Sequence, residues 1–115
     1  MVLRLGVIGA GLKAADYARG WAAMPDVQIV AAAEVSATSL ERFARVCEAA
    51  GAARPQAFAD ADAMLAAMQG KMDAVYVSTP HIFHGANARS VVEAGYDLLL
   101  EKPMVTTQDE ALKLA

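Results

Sequence analysis

Val7-Ile8-Gly9-Ala10-Gly11-Leu12-Lys13-Ala14 is the stretch on which the fold turns. An apolar run stops at Gly9, and a helix-like pattern opens at Leu12. Gly9 permits a tight turn, Gly11 lets a pyrophosphate approach the backbone, and Ala14 is small enough for close packing of a helix on a strand. A strand that breaks into a helix start gathers free backbone N–H groups and the positive end of the helix dipole at one point. Such a point binds phosphate. Alone, G-x-G-x-x-A also fits an ordinary strand-to-helix turn, so its surroundings carry the decision.

Outward from this turn, Val27 to Ala33 reads as a second apolar strand, and Glu34 stands twenty residues after Ala14. A carboxylate at that spacing can accept both hydroxyls of an adenosine ribose, although a solvated acid at a strand end has the same appearance. Its charge repels a 2'-phosphate, and Val35 and Ser36 follow it where an arginine would favour one. The expected cofactor is NAD, with NADP as the alternative.

Short apolar strands alternate with helical patterns along the rest of the chain, which implies parallel strands joined by crossover helices. The first strand spans about residues 3–8 and the first helix 12–24, with Tyr17 and Trp21 four apart on one face. Thr38-Ser39-Leu40-Glu41 has the form of a capping box opening a second helix, whose inward stripe is Leu40, Phe43, Cys47 and Ala50 and whose stop is Gly51. A weak third strand at 56–58 leads to Asp60 as N-cap and a short helix carrying Met64, Leu65 and Met68 as core. The fourth strand, 74–78, ends at Thr79-Pro80, and a helix from about His84 to Ala94 closes at Gly95. A fifth strand, 96–101, carries Leu98-Leu99-Leu100, apolar on both faces as a buried parallel strand requires. Thr107-Gln108-Asp109-Glu110 caps one more helix.

Right-handed crossovers applied to this order predict an α/β, doubly wound, Rossmann-type parallel sheet of five strands in the order 3-2-1-4-5. Gly9 to Lys13, Glu34, Ser78 to His84 and Glu101 to Pro103 then all follow strand ends on one edge. Segments far apart in sequence converge on one site.

With 115 residues the chain is read as one domain, 1–115. Ten Lys and Arg against thirteen Asp and Glu give a formal charge of -3, and no basic run leaves an electrostatic footprint for nucleic acid. The lone Cys47 excludes an internal disulfide and reads as core. No apolar run approaches the roughly 20 residues of a transmembrane helix, and no signal-peptide layout is present, so the expected setting is cytoplasmic, without a membrane partner.

Gly9-Ala10-Gly11, Ser78-Thr79-Pro80-His81-Ile82-Phe83-His84 and Glu101-Lys102-Pro103 together resemble the glucose-fructose oxidoreductase and inositol dehydrogenase family (Gfo/Idh/MocA) over essentially the whole chain. The resemblance implies an NAD- or NADP-dependent oxidoreductase acting on a sugar, cyclitol or related hydroxyl or carbonyl compound. It places Gly9, Ala10, Gly11, Leu12, Lys13, Glu34, Ser78, Thr79, Pro80, His81, His84, Glu101 and Lys102 at the cofactor. Many relatives have Asn at the position of His81, and a solvated role for Lys13 competes with a phosphate contact. Lys102 is the catalytic candidate, because an ammonium there can hydrogen-bond the reacting oxygen and stabilise developing negative charge. Glu101 beside it holds that ammonium in place. No metal is implied.

The same resemblance implies a second, substrate-binding domain that would supply proton transfer and that lies outside these 115 residues. The expectation is therefore an N-terminal piece that binds nucleotide without turnover and self-associates through the edge of its fifth strand. A noncatalytic NAD- or NADH-sensing module fits the loop and Glu34 equally well. An amino-acid-pathway dehydrogenase is disfavoured by Glu101-Lys102-Pro103, and an adenosyl-dependent methyl transferase by the small Ala14.

Overall fold

The structure, a computed structural model, describes residues 2–78 and 84–100. In chain order the elements are β1 (Leu3–Ile8), α1 (Leu12–Ala23), β2 (Val27–Ala33), α2 (Ala37–Ala49), β3 (Gln56–Phe58), α3 (Ala61–Ala67), β4 (Ala74–Val77), α4 (His84–Glu93) and β5 (Asp97–Leu100). All four strand pairings are parallel, and the order is β3-β2-β1-β4-β5. This is the doubly wound sheet expected from the strand and helix alternation. Because the order reverses between β1 and β4, a crevice opens at the carboxyl ends of those two strands.

Side-chain alternation along the strands builds two cores. Leu5 and Val7 of β1 with Ala74 and Tyr76 of β4 pack against Ala14, Ala15 and Ala18 of α1 and Phe43 and Cys47 of α2. On the opposite face, Ile8, Val75 and Val77 meet Met64, Leu65 and Met68 beside α3 and Val91 of α4. The expected inward residues Phe43 and Cys47 are fully buried, as is Met64. Fully burying one side chain the size of Phe43 contributes about 1.5–3 kcal/mol, so the two layers fix the helices to the sheet.

Local chemistry sets most of the ends. Gly51, Gly70 and Gly95 all take positive φ where their helices stop, a conformation that other residues adopt at a cost. The Asp60 side chain caps α3 by accepting from the Ala63 N–H at 2.8 Å. At α2 the structure corrects the expected capping box. The helix begins at Ala37, and Ser36 is the cap, its hydroxyl accepting from the Ser39 N–H at 3.2 Å. The Glu34 N–H bonds the Phe58 carbonyl at 3.0 Å, which holds the chain in the sheet only through Glu34 and lets the helix start earlier. Glu41, freed from capping, instead receives Arg45 and Arg54.

The fifth strand takes the expected edge position, but its two faces are not both covered. β5 is the edge of the sheet among the described residues, Leu98 packs against the core, and Leu99 is 45% exposed. Leu99 pairs with Tyr76 and so shares the α1 face of the sheet. Among the described residues α1 covers this face through its aromatic contacts with Tyr76 of β4, and Leu99 beyond Tyr76 stays partly exposed.

Candidate dinucleotide site

Three turns meet at the carboxyl edge of the sheet. The first leaves β1 at Gly9, whose φ of 89° only glycine adopts readily, and whose N–H bonds the Ala33 carbonyl at the end of β2 (2.9 Å). Ala10 is fully buried, so the turn is pressed onto the sheet. Gly11 is the N-cap of α1, and a methyl group built onto it meets none of the described residues within 4 Å.

The three helix starts described in full differ in one respect. Ser36 and Asp60 cap α2 and α3 with side-chain oxygens, whereas α1 has no side-chain cap hydrogen bond and no acid in its first turn. The first-turn N–H groups of a helix have no partner within it. At α1 no side-chain cap serves them, and a phosphate is an acceptor that suits such a helix start.

Packing keeps this helix start in place. Tyr17 and Trp21 stack with ring centroids 5.5 Å apart, and both meet the Tyr76 ring of β4 edge-on, at 5.7 and 5.1 Å. With Ala14 and Ala18 fully buried, α1 lies close on the sheet. The small third position of the glycine pattern therefore does what its size implies.

The second turn carries Glu34. Its carboxylate is half-buried and accepts from two backbone amides, Ala10 N–H on Oε1 at 3.0 Å and Ser36 N–H on Oε2 at 2.8 Å. The residue expected at the ribose thus lies in direct contact with the glycine turn. Beside it Val35 is 88% exposed, an apolar surface at the same edge. The sequence marked Val35 and Ser36 only as the absence of an arginine; the signal for Ser36 was its place between a strand end and a helical run.

The third turn begins at Ser78, whose N–H bonds the Ile8 carbonyl at 2.8 Å and so joins the end of β4 to the end of β1. Gly9, Ala10, Gly11, Glu34 and Ser78 are brought together as expected. Leu12 opens α1, and Lys13 follows on its exposed first turn; His84 opens α4. Thr79, Pro80, His81, Glu101 and Lys102 lie outside the described residues. A groove of about 910 Å³ runs elsewhere, between α1 and α2, lined by residues such as Arg19, Arg42 and Val46; no strand-end residue lines it.

The residues present fit a dinucleotide: a helix start without a side-chain cap for the pyrophosphate and a carboxylate beside the glycine turn at the end of the neighbouring strand. A family profile described as an oxidoreductase family with an NAD-binding Rossmann fold, GFO_IDH_MocA, matches residues 3–115. The chain belongs to this family. Among its Gfo/Idh/MocA relatives, an inositol 2-dehydrogenase of Leifsonia xyli is 34% identical over 112 residues, covering 97% of this chain and 31% of that protein. A glycosyl hydrolase family 109 protein of Streptomyces coelicolor is 31% identical over 106 residues, covering 90% of this chain and 22% of its own length. The WlbA dehydrogenase from Bordetella pertussis, solved in complex with NADH and UDP-GlcNAcA, superposes with a TM-score of 0.81 at 26% identity, covering 99% of this chain and 33% of that one. The chain therefore spans between about a fifth and a third of the length of these family members.

Proposed function

We propose that the chain binds a nicotinamide dinucleotide along the carboxyl edge of β1, β2 and β4, NAD in preference to NADP, as the nucleotide-binding part, 1–115, of an oxidoreductase. The observation that carries this reading is the uncapped start of α1 lying in hydrogen-bond contact with Glu34 through Ala10. The α1 amides and Gly11 take the pyrophosphate, Glu34 accepts the ribose hydroxyls and repels a 2'-phosphate, and Ser78 opens the turn that leads toward the nicotinamide. When bound, the nicotinamide supplies the hydride chemistry.

In the same reading Thr79, Pro80, His81 and His84 line the cofactor, and Lys102, steadied by Glu101, donates to the reacting oxygen of a sugar, cyclitol or related hydroxyl or carbonyl compound. Support for that substrate class comes from the inositol dehydrogenase and the sugar-nucleotide-bound dehydrogenase among the relatives. The 115-residue chain binds nucleotide without turnover, and a cytoplasmic setting belongs to the proposal.

Calorimetric titration of the chain with NAD and NADP tests it. Saturable NAD binding, at least about tenfold tighter than NADP, is the expected result, since the carboxylate meets a dianion in the second case. Absence of saturable NAD binding overturns the reading. Replacing Lys102 with Ala leaves NAD affinity nearly unchanged if its partner is the substrate; a large loss instead favours a module that only senses nucleotide.

A further inference from the structure

Glu34 does more than mark the end of β2. Its own N–H is fixed to β3 by the bond to Phe58, and its two carboxylate oxygens reach in different directions, one to the Ala10 N–H of the glycine turn and one to the Ser36 N–H that precedes α2. One side chain thus ties the turn after β1 to the turn after β2. Among the described residues the turn has few other polar ties: the Gly9 N–H meets the Ala33 carbonyl and the Gly11 carbonyl accepts from the Ala15 N–H, while the buried Ala10 methyl packs beneath it.

From this geometry we infer that Glu34 is a positioning residue for the phosphate-binding turn, acting through Ala10 and Ser36 in addition to any contact with ribose. The ligand half of the inference rests on the dinucleotide reading above. A carboxylate oxygen has two acceptor sites, so Oε1 and Oε2 can each keep their amide and still accept a ribose hydroxyl. Bracing and ribose binding therefore do not compete. Removing the carboxylate releases both amides at once. The turn then loses its defined shape before any ligand arrives, and a ligand that never touches Glu34 binds less well, because the ordering cost shifts onto binding.

The test separates bracing from ribose contact with a probe that lacks the hydroxyls, 2',3'-dideoxyadenosine diphosphate, titrated into the full chain and its Glu34→Ala and Glu34→Gln forms. Loss of one charge-assisted hydrogen bond predicts that Glu34→Ala binds this probe about tenfold more weakly. Glu34→Gln keeps one acceptor oxygen and falls between the two. Amide exchange followed by NMR gives a second readout without ligand. Exchange at Ala10 rises about tenfold or more in Glu34→Ala, while Val7 within β1 keeps its rate and so reports an intact sheet.

Equal affinity of Glu34→Ala and the unaltered chain for the dideoxy probe overturns the inference, as does an unchanged exchange rate at Ala10. If the unaltered chain binds neither NAD nor the probe, the dinucleotide reading fails, and exchange at Ala10 still decides whether Glu34 braces the turn. Should Glu34→Ala not fold, Glu34→Gln carries both measurements.

Discussion

Arg4 and Asp73, 69 positions apart, clamp the two central strands together at the end of the sheet opposite the glycine turn. Asp73 accepts from the Arg4 backbone N–H at 2.8 Å, from Nε at 3.2 Å and from Nη2 at 3.0 Å, and returns its own N–H to the Arg4 carbonyl. A further Arg4 nitrogen donates to the Gly70 carbonyl at 3.1 Å, which holds the turn that precedes β4. β1 and β4 flank the switch in strand order, so this clamp fixes the register of the crevice from below.

Acid should loosen the clamp. Side-chain hydrogen bonds from Arg4, and then its backbone N–H, hold the Asp73 carboxyl below its ordinary range, while Arg54 and Arg45 bring Glu41 down to about 2. Both groups bind a proton less readily in the folded chain than in the unfolded one. Their stabilisation is complete above the usual carboxylate pKa of about 4 and is lost as pH falls toward the native values. Thermal unfolding followed by circular dichroism should show Tm dropping below about pH 4.5. Asp73→Asn should lower Tm at neutral pH and flatten that drop; parallel profiles for the two proteins would refute the assignment.

Gly6 should not tolerate alanine. A Cβ at this position strikes Sδ of the buried Met72, with the terminal methyl of Met64 in ordinary contact beside it. Overpacking of this kind costs about 1–3 kcal/mol, which exceeds what alanine gains over glycine in the unfolded chain. Urea unfolding of Gly6→Ala should show a lower midpoint with an unchanged slope. Shortening Met72 in the same protein should recover part of the loss.

Cys47 should be silent toward thiol reagents until the chain unfolds. Burial first, and the nearby Glu48 charge second, push its thiol up to about 11. At pH 8 only about one thiol in a thousand is ionised at that value, and the thiolate is the reactive form. Labelling with a chromogenic disulfide should proceed at the rate of unfolding, slow in buffer and fast in denaturant. Rapid stoichiometric labelling of the folded chain would contradict the buried position.

The β5 edge should drive self-association. β5 has a strand neighbour on one side among the described residues, and Leu99 on it is 45% exposed. Unpaired edge strands with apolar side chains pair with other chains, and a lysine on the edge opposes that. Light scattering should show concentration-dependent growth that Leu99→Lys reduces. A monodisperse monomer at high concentration would remove the prediction.

Much of the fold was readable because its signals are local. The turn at Gly9, the stops at Gly51 and Gly95, and the Asp60 cap depend on torsion angles and on bonds a few residues long. The start of α2 was misplaced for a reason that is not local: both Thr38 and Ser36 suit a cap, and the pairing of Glu34 with Phe58 on β3 decides between them. The ribose candidate was legible from its spacing, but its grip on Ala10 was not, since nothing in the sequence between two residues 24 positions apart says which amide a carboxylate will meet.

The sequence by itself determined the strand and helix alternation, the parallel order and the glycine turn, since apolar periodicity and backbone torsions belong to neighbouring residues. Tertiary structure alone decided that Glu34 braces the turn, that Asp73 grips Arg4, and that Leu99 faces solvent. Each of these depends on which side chains and amides meet across neighbouring elements, and that is settled only when both faces of the sheet bury their cores at once.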